Sequence, residues 1–162
     1  MCTTLGRRAE LPSGQRPGRS KVVTRNEANH LVGWLAIPVM AALNGALRDV
    51  TYGKAMNDTV AHSIAVAPLG AAVFLWAFVL DRRWPLGDRR VGMRVGCIWL
   101  ALTLVAEFGL GAARGTSIDD MLAEYNIARG NLWLLVPLAT AVAPELVRRY
   151  PAARRAAPEA DQ

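Results

Sequence analysis

The sequence predicts an all-α integral membrane protein, a four-helix bundle, and three observations carry that expectation. Its apolar residues gather into four blocks almost free of charge, its basic residues gather between alternate blocks, and a hydrophobic content of 52% is high for a chain of net charge +6. The mean hydropathy of +0.20 points the same way. The blocks cover residues 31–47, 60–80, 95–113 and 131–147. At ~1.5 Å per helical residue, each crosses or nearly crosses a hydrocarbon core of ~30 Å. A chain of 162 residues has room for one such domain, expected over residues 28–149.

Residues 1–27 combine Gly6, Pro12, Gly14, Pro17 and Gly18 with six Arg or Lys. That composition buries too little apolar area to offset the entropy of ordering, so a disordered basic arm is expected. Arg7-Arg8 has the form of a twin-arginine signal, but the apolar stretch starts more than twenty residues later and no small-residue cleavage site follows it. The first block, 31–47, is short for a span, and its flank Asn29-His30 is expected to take part. The second, 60–80, is polar only at His62 and Ser63, without the polar face of a soluble helix. Residues 81–94 form a short connection through a Trp84-Pro85-Leu86-Gly87 turn.

The third block contains one charge, Glu107. Beyond it, Ser117-Ile118-Asp119-Asp120 reads as a helix N-cap with an acid three residues on. Ile118, Met121, Leu122 and Tyr125 then follow helical spacing, which predicts a short amphipathic outer-loop helix ended by Gly130. The fourth block is also short, with Arg148 and Arg149 placed to snorkel beyond Val147. Residues 150–162 are expected to be a disordered tail. Pro38, Pro68 and Pro137 lie within three spans, where each is expected to kink its helix.

Charge sets the orientation, because Lys and Arg in short loops stay on the cytoplasmic side. Six basic residues precede Leu31, five lie in residues 81–94 and four follow Val147, which makes fifteen of nineteen. All three segments fall on one side of an even-numbered bundle, so both termini are expected in the cytoplasm and the protein in a plasma membrane. Trp34, Trp76 and Trp84 would mark the inner interface and Trp133 the outer one. Seventeen Arg against two Lys, with many Ala, Gly and Val, suggests a high-GC bacterial origin.

The basic residues flank apolar helices with no aromatic-rich basic fold around them, which excludes nucleic acid and favours membrane lipids as partners. A second copy or a partner membrane protein remains open, since Gly109, Gly111, Ala112 and Ala113 would permit close helix contact. Cys2 and Cys97 are too far apart in kind and place to imply a disulfide or a metal pair. His62 with Glu107 and Asp49 lies in no HxxxH, ExxH or CxxC spacing, so no metal is expected there, and no cofactor is indicated.

Candidate chemistry collects at the outer end. Asn44, Arg48 and Asp49 close the first span, His62 opens the second, Glu107 lies late in the third, and Tyr125 and Arg129 precede the fourth. Asn44 with Arg48, and Thr103 with Glu107, are i, i+4 pairs on single helix faces. A carboxylate in hydrocarbon must face the interior and either pair or stay protonated, which makes Glu107, with His62, the candidate acid or base. Arg48 and Arg129 stand on the outer side against the usual charge preference, and Arg suits capture of carboxylate or phosphate. Asn44, Arg48, Asp49, Tyr125 and Arg129 are therefore the candidate ligand contacts. The bland alternatives are ion pairs of Arg48 with Asp49 or Glu107, of Arg129 with Glu124 or Asp120, and of Glu145 with Arg148 and Arg149.

The motifs Asn44-Gly45-x-x-Arg48-Asp49-x-x-Tyr52 and Tyr125-Asn126-x-x-Arg129-Gly130-x-Leu132-Trp133 resemble those of small four-span bacterial membrane proteins. That resemblance implies the bundle and no particular reaction. Two functions remain in view: an outer-leaflet cavity that binds a small polar or anionic-headgroup ligand, with a lipid-linked substrate as the catalytic variant, or a non-enzymatic accessory subunit whose polar cluster holds helices or a partner together.

Overall fold

The computed structural model of this protein describes the backbone of residues 17–156, and the side chains of residues 25–150 apart from Asp58 and Arg129. Residues 1–16 of the arm expected over 1–27, and residues 157–162 of the expected tail, lie outside the described residues. The helices are α1 (Pro17–Gly33), α2 (Ala36–Val50), α3 (Asp58–Arg83), α4 (Arg89–Ala113), α5 (Ile118–Ala123) and α6 (Leu135–Ala156). Short 3-10 turns cover Gly53–Ala55 and Ile127–Arg129, and no strand occurs among the described residues. Helix α1 begins at Pro17, within the segment expected to be unstructured, and α6 continues to Ala156.

Three helices are long and apolar enough to cross a membrane: Arg25–Val50, which joins α1 to α2, then Thr59–Arg83 and Arg89–Ala113. The helix over the fourth apolar block is not among them: α6 starts only at Leu135, which puts Pro137 in its first turn, where a proline is tolerated. Residues 131–134 turn instead, with the Asn131 amide donating to the Ala123 carbonyl at 2.9 Å. From Leu135 to the first arginine of the tail the helix rises only about 20 Å.

Pro38 breaks the first span in the same way. It has no N–H for the Trp34 carbonyl, and its ring crowds that group. The chain therefore turns at Trp34-Leu35, and the Ile37 N–H takes the Trp34 carbonyl at 2.8 Å. This strands the Gly33 carbonyl, which accepts instead from the Trp76 indole at 2.8 Å. Two more indoles brace the break: Trp99 donates to the His30 carbonyl at 3.0 Å, and Trp34 to Thr103 Oγ1 at 3.1 Å. Trp34 and Trp76, both half-buried, thus spend their indole N–H groups within the chain.

His30, expected to flank the first span, is fully buried and its Nε2 donates to the Trp84 carbonyl at 3.0 Å, which fixes its tautomer. Nearby, Asn26 donates to the Pro85 carbonyl, Asp81 accepts from the Leu86 N–H, and Glu27 pairs with Arg94. These bonds tie α1 and the connection between α3 and α4 into one end of the molecule.

Helix α6 packs closely on both α4 and α3, around Val73, Ala77, Val95, Trp99 and Ala143, all fully buried. Glycine sets the approach of α4 to α6. A Cβ on Gly96 would stand 3.0 Å from the Ala141 carbonyl carbon and closer still to its oxygen, and one on Gly92 would meet Glu145. These two glycines form a small-xxx-small pair at the contact. Gly109, in the cluster expected to serve that purpose, faces open space. Glu145 is buried beside them and accepts from both Arg148 and Arg149. Val39, Leu43 and Leu47 of α2, Leu75 of α3 and Val105 of α4 point outward and are exposed.

Candidate functional site

The polar side chains at the Glu107 end are set by helix ends. Asn57 caps α3 by accepting from the Thr59 N–H at 2.9 Å, which starts the helix just before His62. Ser117 caps α5 by accepting from the Asp120 N–H at 3.1 Å, as its spacing predicts. Helix α5 ends at Ala123, earlier than expected; Gly130 then takes a left-handed turn with φ 83°. That turn is held by a hydrogen bond from Ser63 to the Gly130 carbonyl at 2.9 Å.

Arg48 occupies the last turn of α2, where its charge suits the helix dipole. Its Nε and Nη2 reach Asp49 Oδ1 at 2.9 and 2.8 Å, and its Nη1 lies 3.2 Å from His62 Nδ1. A guanidinium only donates, so Nδ1 accepts and the imidazole proton sits on Nε2. That nitrogen is buried and has no hydrogen-bond partner. The His62 ring meets Trp133 edge to face at 4.9 Å, and Glu124 Oε2 stands 3.9 Å from Nδ1. Asn44 turns the other way, donating to the Ala65 carbonyl at 2.9 Å and so tying α2 to α3.

Glu107 pairs with no arginine. Its carboxylate accepts from the Tyr125 hydroxyl, and the Tyr125 ring stacks on Phe108 with centroids 5.9 Å apart. Burial, and then the hydrogen bond and charge of Glu107, hold the Tyr125 phenol well above its ordinary range.

Two cavities flank Arg48 and Asp49. The larger, about 610 Å³, lies between α2 and α4. Ala41, Ala42 and Gly45 form one wall, Ala106, Glu107 and Leu110 the other. Trp34 and Thr103 make its floor, Trp133 and Val136 its back, and Asp120, Glu124 and Tyr125 its roof. The smaller, about 290 Å³, is lined by Arg48, Asp49, Gly53, Lys54, Ala61 and His62.

Of the residues expected to bind or react, Arg48, Asp49, Glu107 and Tyr125 share the larger cavity. His62 lines only the smaller one, Asn44 lines neither, and the Arg129 side chain lies outside the described residues. The anion paired with Arg48 is Asp49, one of the two bland alternatives. Sequence reasoning passed over Trp34 and Arg114 as site residues. Arg114 lines the larger cavity and forms no ion pair among the described residues. Its position on the sparsely basic side was the available signal, the same one that singled out Arg48. No group of three His, Cys, Asp or Glu suited to a metal occurs among the described residues.

A volume of this size suits a small ligand, and its mix of apolar walls with a few convergent charges suits an amphiphilic one. Comparison with known proteins finds no family model, no curated protein and no solved structure that matches this chain.

Proposed function

We propose that this chain is a small integral plasma-membrane protein of four spans, with both termini cytoplasmic, whose outer-leaflet cavity binds a small polar or anionic-headgroup ligand. The observation that carries the reading is the cavity between α2 and α4, with Arg48 and Arg114 at the end that the basic-residue pattern assigns to the outside. Helix α6 supports the fourth span, since it packs along both α3 and α4. Its short apolar stretch is extended by the turn at residues 131–134 on one side and by Arg148 and Arg149 on the other.

The reading is one of binding. Catalysis on a lipid-linked ligand would draw on Glu107 as acid or base beside Arg48, which lines the same cavity, whereas His62 lines only the smaller one. The accessory-subunit reading draws on a different observation: Asn44, Ser63 and Arg48 each spend their donors within the chain. Native mass spectrometry on protein extracted gently from its own membrane separates the two. A stoichiometric ligand, lost in Arg48→Ala, is the expected result. A co-purifying protein on a chain with no small ligand would overturn it in favour of the accessory role.

A further inference from the structure

The cavity between α2 and α4 has a floor, a back, a roof and two walls, yet no described residue seals the side away from α3 and α6. Helices α2 and α4 scarcely touch each other, because α1 spaces them at the His30 end and the turn at Trp34-Leu35 redirects α2. The open side lies between the exposed Ala42 and Ala46 of α2 and the exposed Leu110 of α4, apolar lining residues of the kind that face acyl chains. The cavity is thus continuous with the region where lipid would lie.

Its chemistry changes along its length. Toward the floor it is lined by Ile37, Pro38, Ala41 and Ala42 of α2 with Trp34 and Val136, a surface for methylene groups. Toward the roof it carries charges of both signs. Arg48 and Arg114 stand on the rims given by α2 and α4; Arg48 is held by Asp49 and His62, and Glu107 by Tyr125, which leaves Arg114 facing the acids Asp120 and Glu124 on α5 and its end. Arg114 is exposed and unpaired among the described residues, and the Glu124 side chain is half exposed, 3.9 Å from a His62 nitrogen that already accepts from Arg48. A purely anionic headgroup would satisfy Arg114 and be repelled by the two acids. A headgroup with a phosphate and an ammonium a few bonds apart satisfies both, phosphate on Arg114, ammonium on Asp120 and Glu124.

Building on the binding function proposed above, we infer that the ligand is a zwitterionic phospholipid that enters sideways between α2 and α4, with an acyl chain in the apolar lower half and its phosphate–ammonium headgroup under α5.

Gly45 provides the test, because a Cβ there meets nothing within 4 Å while the residue lines the cavity. Gly45→Leu therefore fills the slot without a clash and leaves both arginines in place. The protein is placed in phosphatidylglycerol nanodiscs with a trace of photo-crosslinkable phosphatidylethanolamine or phosphatidylglycerol, each with the diazirine on the same acyl position. Crosslinks are mapped by peptide mass spectrometry. Phosphatidylethanolamine should label residues 41–46 and 106–110 severalfold more than phosphatidylglycerol, Gly45→Leu should cut that labelling severalfold, and Glu124→Gln should bring the two lipids closer. Equal labelling by the two lipids in the slot overturns the zwitterion assignment while the anionic-headgroup reading stands. Labelling that Gly45→Leu does not change overturns sideways entry. Titration with glycerol phosphate then decides the rest: binding that needs Arg48 leaves the wider reading intact, and no binding removes it as well.

Discussion

Replacing Gly96 with alanine tests the packing that holds the cavity's walls apart. In a helix interior with free space, Gly→Ala stabilises by ~0.5–1 kcal/mol because it removes backbone entropy from the unfolded chain. At Gly96 the new Cβ would stand 3.0 Å from the carbonyl carbon of Ala141 and overlap its oxygen, and backbone cannot swing aside as a side chain can. Overpacking of this kind costs ~1–3 kcal/mol. The net expectation is a loss of about 1 to 2 kcal/mol, since the entropic gain still applies. Gly109→Ala, on the same helix with nothing within 4 Å, is the matched control and should gain a few tenths to 1 kcal/mol. Reversible unfolding of both variants in mixed micelles, followed by circular dichroism against the mole fraction of denaturing detergent, reads the difference. A separation of about 2 kcal/mol is expected. Variants that agree to within a few tenths would mean that α4 and α6 do not meet at Gly96.

Other consequences are open to simpler assays. Glu107→Gln should lower the raised titration point of Tyr125 toward the ordinary ~10 by removing the neighbouring charge; phenolate absorbance in micelles follows it. Because its folded pKa is raised, the stability it contributes is complete below pH ~10 and is lost as pH rises through the folded value, so Tyr125→Phe should flatten the alkaline limb of a stability–pH curve. Glu145→Ala removes the acceptor of both Arg148 and Arg149 at a buried site and should cost about 1 to 3 kcal/mol in the same detergent titration, whereas Asp119→Ala, on the exposed face of α5, should change little. Trp99→Ala empties a fully buried site and releases the His30 carbonyl, for a loss of about 3 to 5 kcal/mol.

Much of this architecture is legible from residue order alone, because hydrophobic blocks, capping residues and prolines act locally. Ser117 and the acid three residues later mark the start of α5, and Glu145 with arginines at i+3 and i+4 marks its own pairing. The contacts between helices are less legible. That His30 is the most enclosed polar group at its end, or that Gly92 and Gly96 rather than Gly109 receive the neighbouring helix, depends on which faces turn inward. The site divides in the same way. Arg48, Asp49, Glu107 and Tyr125 were found by their depth in the chain, but Asn44 and His62 point to other partners, a rotation of helix faces that depth does not encode.

The most direct measurement is a crystal structure of the protein grown in a lipid mesophase supplied with its own membrane lipids. Elongated density between α2 and α4, running from the Trp34 floor to a headgroup between Arg114 and Glu124, is the expected result. Closure of α2 on α4, with the space filled by the chain's own side chains, would contradict the existence of a ligand site there.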